Sequence, residues 1–142
     1  MIVGFTVTRE GMDKGQVHQL LEHLAILYSQ PPVGLFARHE FHHGDAIGAD
    51  SQAHDLVRKH FPNVHIEIHP CDLMSQRAYK QGDRTHEPLP PLKRNRNIVR
   101  ACSLLLVAPV TNIEETGSGT WSTKRYAEKT GVEYKLLWRN KK

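Results

Sequence analysis

The chain has 142 residues and a formal charge of +4, enough for one domain that buries about two-thirds of its unfolded surface without a disulfide or metal. Its two cysteines, Cys71 and Cys102, make no disulfide framework, so a reducing, cytoplasmic setting is expected. No run approaches the ~20 apolar residues of a membrane span, the N-terminal run lacks the basic region of a signal peptide, and part of the mild charge sits in the tail Arg139–Lys142 rather than in the dense basic stripe of a nucleic-acid binder.

Residues 1–8 are apolar and strand-like. Residues 12–29 place Val17, Leu20, Leu21, Leu24, Leu27 and Tyr28 on one helical face, stopped by Pro31-Pro32. A less regular strand is expected over 34–42, a helix over 48–60 and a third strand over 64–68. Residues 70–93 break this rhythm: they are polar and proline-rich, carry Arg77, Lys80, Arg84 and Lys93, and suggest a lid or binding loop with a short helix near 73–80. A helix over 91–101 precedes Ser103–Ala108, a continuous apolar run suited to the middle of a parallel sheet. A helix over 120–130, ended by Gly131, leads to a last strand from Glu133 to Trp138. Five strands alternating with four helical segments predict a three-layer, Rossmann-like α/β domain with a mostly parallel five-stranded sheet. In such sheets ligands bind at the carboxyl ends of the strands.

Four turns fall there. Thr6-Val7-Thr8-Arg9 offers two hydroxyls and a guanidinium for a phosphate, or is a plain strand exit with a surface arginine. In His43–Asp50, Gly44 and Gly48 permit a tight turn before a helix beginning near Ala49. Asp45 there can accept from a ribose or base, while Asp50 either touches ligand or favours the helix dipole. His69-Pro70 closes the third strand, placing His69 near a ligand. The stretch Pro109–Thr120 ends in Gly117-Ser118-Gly119-Thr120, a second cradle with Ser118 or Thr120 as helix cap. Trp121 either stacks on a base or fills the core. Arg94-Asn95-Arg96-Asn97 opens a helix where an arginine fits the positive dipole end poorly, which favours an anionic partner for Arg94 and Arg96.

In His39-Glu40-Phe41-His42-His43, strand alternation sends His42 and His43 to opposite faces, and no metal site is expected. The P-loop and dinucleotide fingerprints are absent, and no cofactor is expected. Asp45, Glu114 and Glu115 are the carboxylates available for acid–base work.

Several of these stretches together resemble the SLOG superfamily of Rossmann-like nucleotide-binding domains, which includes LOG-type phosphoribohydrolases and the DNA-processing protein DprA. The resemblance is carried by Gly4-Phe5-Thr6 with Thr8–Met12, His42–Asp45 with Gly48-Ala49-Asp50, His69-Pro70, Arg94-Asn95-Arg96 and Gly117–Trp121. It spans nearly the whole chain and is closest to the small bacterial and phage-borne members. It implies a nucleotide-like ligand, and self-association through helices. The departures are Val7 in place of a second turn glycine, Asn97 where relatives often carry Asp, and Thr123 at the position of the LOG-type catalytic glutamate. The expected function is therefore binding of a nucleotide or nucleotide-derived molecule, by sensing or sequestration. A nucleotide hydrolase is the alternative, and single-stranded nucleic-acid binding is ranked last.

Overall fold

The apolar runs pair side by side into one parallel sheet. A computed structural model describes residues 1–35 and 37–140. The strands are β1 (Ile2–Val7), β2 (Glu40–His43), β3 (His65–Ile68), β4 (Arg84–Thr85), β5 (Leu104–Ala108) and β6 (Glu133–Leu136). Their spatial order is β4-β3-β2-β1-β5-β6, all parallel. The helices are α1 (Lys14–Leu27), α2 (Ala49–His60), α3 (Pro91–Ala101) and α4 (Gly119–Thr130). The three-layer, Rossmann-like α/β architecture stands, with six strands rather than the expected five. The extra strand lies inside the polar 70–93 segment. Arg84 and Thr85 pair with Glu67 and Ile68, and so short and polar a piece carries no apolar alternation to reveal it.

Period-two alternation divides the core in two. Phe5, Phe41, Ile66, Ile68, Leu104 and Leu106 pack against Leu20 and Leu24 of α1 and Ala53 and Val57 of α2. Leu105 and Val107 point the other way, onto Ile98 and Val99 of α3 and Ala127 of α4. The run Leu104–Ala108 is buried throughout because it is covered on both faces.

Local signals set the helix ends. Asp13 and Gln16 form a reciprocal capping box at the start of α1: Asp13 Oδ1 accepts from Gln16 N at 2.9 Å, and Gln16 Oε1 accepts from Asp13 N at 3.2 Å. The same Gln16 amide donates to the carbonyls of Pro109 (2.8 Å) and Leu137 (3.0 Å), tying α1 to the ends of β5 and β6. Pro91 supplies a pre-set first turn for α3. The second strand is shorter than expected, Glu40–His43 in place of 34–42; ahead of it, His39 O still accepts from His65 N (3.0 Å), and Phe36 lies outside the described residues. Lys141 and Lys142 of the basic tail also lie outside them.

The 70–93 segment is anchored to the turn after β2. Met74–Gln76 forms a single 3₁₀ turn, Ile47 N donates to the Gln76 carbonyl (3.1 Å), and Ala78 N donates to the Asp45 carbonyl (2.7 Å). The Asp45 carboxylate, fully buried, accepts from Lys80 N (2.9 Å), Tyr79 N (3.1 Å) and Arg77 Nε (3.2 Å). Removing it strands two amides and a guanidinium, each costing roughly 1–3 kcal/mol if left unpaired. Asp45→Ala should therefore lower unfolding free energy in urea by about 3 kcal/mol or more, and speed proteolytic cleavage between residues 76 and 83.

Candidate functional site

The strand order reverses between β1 and β5, and the carboxyl ends there open into a cavity of about 650 Å³. That is within the size range of small-molecule sites. Five segments meet around it. The exit of β1 supplies Thr8, Arg9 and Glu10, and the turn after β2 supplies Ala46 and Ile47. The 3₁₀ turn supplies Ser75 and Gln76, the start of α3 supplies Arg94 and Asn95, and the start of α4 supplies Ser118, Gly119 and Thr120.

The two glycine-bearing turns have different states. In the first, three amides are already used: Asp45 N donates to His43 Nδ1 (2.9 Å), Ala46 N to Asp50 Oδ2 (3.0 Å) and Ile47 N to Gln76 O (3.1 Å). Gly48 sits at φ 100° with its Cα against the Arg9 carbonyl, leaving no room for a side chain. These three amides are spent inside the wall; α2 opens at Gly48 without a side-chain cap, but of this turn only Ala46 and Ile47 line the cavity. In the second, Ser118 caps α4 through Trp121 N (3.4 Å), and the N–H groups of Gly119 and Thr120 lack intrahelical acceptors by position. A Cβ on Gly119 would meet nothing within 4 Å. The open positive end of α4 therefore faces the cavity.

Arg94 is 9% exposed and forms the inner wall. Its Nη1 donates to the carbonyls of Gly44 and His69, and its Nε donates to Asn95 Oδ1 at 2.7 Å. A side chain on Gly44 would occupy the space of that guanidinium. The poor fit of an arginine to a helix start is thus relieved by internal carbonyls. Asp50 lies nearby, with one carboxylate oxygen lacking any partner among the described residues. Burial pushes its pKa up to about 6, against the opposing charge of Arg94.

Of the residues expected at a site, Thr8, Arg9, Arg94, Ser118, Gly119 and Thr120 line the cavity together. The others lie elsewhere. Thr6, Ala49 and Pro70 are buried, and Gly44, Gly48 and Asp50 shape the wall from behind. Asp45 anchors the 3₁₀ segment rather than facing the cavity. His69 turns away, bonding His42 (2.8 Å) and stacking on His86, and burial with these neighbouring imidazoles lowers its pKa to about 3. Arg96 lies over the Tyr126 ring on the outer side of α3. The Pro109 carbonyl is occupied by Gln16 and Arg139. Gly117 is exposed outside the cavity. Trp121 is buried and fills the core, with its indole N–H unpartnered among the described residues.

The carboxylates proposed from sequence do not reach the cavity. Glu114 pairs with Lys124 and Arg125, and Glu115 accepts from Thr111. Glu10, next to Arg9, is the acid that lines it. Its place in the turn directly after Thr8-Arg9 was its only sequence signal. Ser75 and Gln76 had none, since their position depends on the Asp45 anchor.

Raised above its unfolded value of 3.8, the Asp50 pKa favours folding while the group is protonated in both states. That contribution is lost as pH climbs from about 4 through about 6. Two pH units correspond to up to about 3 kcal/mol. Asp50→Asn should therefore match wild type at pH 4 and exceed it by up to that amount at pH 7.5, as read by urea unfolding at both values.

No family model matches the chain, and no curated protein matches it. Among solved structures, it is similar to TM1055, a structural genomics target determined by X-ray crystallography. The two share 13% identity with a TM-score of 0.60, over 94% of this chain and 71% of that one. Identity that low speaks to the fold alone: this chain shares a Rossmann-like α/β fold with TM1055.

Proposed function

We propose that the protein binds a nucleotide or nucleotide-derived small molecule in the cavity between β1 and β5, sensing or sequestering it as a SLOG-type domain. The observation that carries this is the open amino end of α4, with its Gly119 and Thr120 amides, lining the same cavity as Arg9. An anionic group seated there gains oriented N–H donors, a positive dipole end and a charge-assisted hydrogen bond. Arg94 adds positive potential from the buried wall, and the cavity volume leaves space for a sugar and base beside Ser75 and Gln76.

Calorimetric titration with a panel of nucleoside mono-, di- and triphosphates tests this reading. A charge-assisted bond contributes roughly 1.5–3 kcal/mol, so Arg9→Ala should weaken binding by about 10- to 100-fold. Gly119→Val adds bulk into open space, so it should weaken binding comparably while leaving the melting temperature within a few degrees of wild type. Unchanged affinity in both variants would sink the proposal.

Glu10 favours one second reading, nucleotide hydrolysis, because it sets a carboxylate beside the anion cradle. On that reading, chromatography of nucleotides incubated with the protein shows product, and Glu10→Gln abolishes turnover while retaining ligand affinity. Absence of product from every nucleotide in the panel rejects it.

A further inference from the structure

The face of the sheet turned toward α3 and α4 changes character at its β4 edge. No α-helix intervenes between β3 and β4. There, strand alternation projects Glu40 and His42 from β2, His65 and Glu67 from β3, and Arg84 from β4, with His69 and His86 just beyond the strand ends. The middle of this set is withdrawn from water: the side chains of His42 and Glu67 are 2% and 8% exposed. His42 Nε2 lies 2.9 Å from Glu67 Oε2, and His42 Nδ1 lies 2.8 Å from His69 Nε2. Donor atoms of His42, Glu67 and His69 all fall within 4.8 Å of one another.

Two features are unexplained by packing. Glu67 is a buried carboxylate whose close partner, His42 Nε2, is shared with Glu40, and whose nearest guanidinium, on Arg84, is 3.4 Å away and largely in solvent. Burying a charge is costly unless it is closely paired. His86 stacks on His69 with ring centroids 4.1 Å apart, and its Nε2 is buried, 3.7 Å from Glu67 Oε1, with no hydrogen-bond partner among the described residues. A divalent cation among these atoms would satisfy both.

We propose that His42, Glu67, His69 and His86 form a binding site for a divalent transition-metal ion, zinc by ligand type. Three imidazoles and one carboxylate suit zinc in tetrahedral coordination. Donors in that geometry stand about 3.4 Å apart; the donor atoms of His42, Glu67 and His69 already lie within 4.8 Å of one another, and binding requires His42, whose two nitrogens face His69 and Glu67, and His86, stacked on His69, to turn their rings. Glu40 Oε1 accepts from His42 Nε2 at 2.7 Å and would orient that ring. The ion would staple the two-residue strand β4 to β2 and β3. It would also fix the His69 carbonyl that receives Arg94 behind the cavity. The site is independent of the nucleotide reading.

Titration calorimetry of the chelator-treated, redialysed full chain with zinc chloride tests this. One ion per chain is expected. His69→Gln and His86→Gln, confirmed as folded by circular dichroism, should each weaken binding by more than about 100-fold, beyond the loss typical of an outer-shell partner. His18→Gln, an exposed imidazole on α1, should leave binding unchanged. Zinc should raise the melting temperature of wild type and not that of His86→Gln. His86 is partly exposed, which makes its variant the safer one for folding. Absence of saturable zinc binding by the wild-type chain overturns the proposal, and so does undiminished affinity in His86→Gln.

Discussion

The buried Arg94 guanidinium is the contact around which the carboxyl end of the sheet is arranged. A buried cation is tolerated only when its donors are met. Here Gly44 and His69 turn their carbonyls inward to meet them, from the ends of β2 and β3. The absence of a side chain at Gly44 makes the approach possible. Because Arg94 belongs to the first turn of α3, the same interaction sets where that helix begins relative to the sheet, and so fixes one wall of the cavity. Asp50 sits close to this charge in the opening turn of α2. Arg94 opposes, without cancelling, the burial that raises the Asp50 pKa.

A second constraint comes from connectivity. The β1–α1–β2 and β2–α2–β3 units cover one face of the sheet continuously, and the core there is apolar from Phe5 to Ile68. On the other face, α3 and α4 pack on the β5 side. The link from β3 to β4 holds a 3₁₀ turn and no α-helix. The edge of the sheet therefore had no apolar cover to meet, and its side chains became a polar cluster, drawn in by mutual contacts among His42, Glu67 and His69. The 70–93 segment instead runs along the carboxyl ends, where Asp45 holds it against the turn after β2.

Much of this arrangement was legible in the chain. The apolar run Leu104–Ala108, the helical face of Leu20 and Leu24 and the proline start of α3 all declared themselves locally, because each depends on periodicity or on a residue's own backbone preference. The site was legible in part. Thr8, Arg9, Ser118, Gly119 and Thr120 lie next to strand ends, where a parallel sheet places its ligands. Asp45 and His69 lie there too, yet turn inward to partners more than twenty residues away in sequence. Strand β4 escaped because two polar residues have no period to detect.

The sequence by itself determined that two glycine-bearing turns follow strands and precede helices, since glycine, capping residues and apolar periodicity act over a few residues. Only the tertiary structure decided what each turn does. The Asp45, Ala46 and Ile47 amides of the first are consumed by His43, Asp50 and Gln76, while those opening α4 lie at the cavity. That division depends on which side chains and carbonyls arrive from distant segments. A backbone N–H takes the nearest acceptor that folding supplies, and no local pattern records where that acceptor comes from.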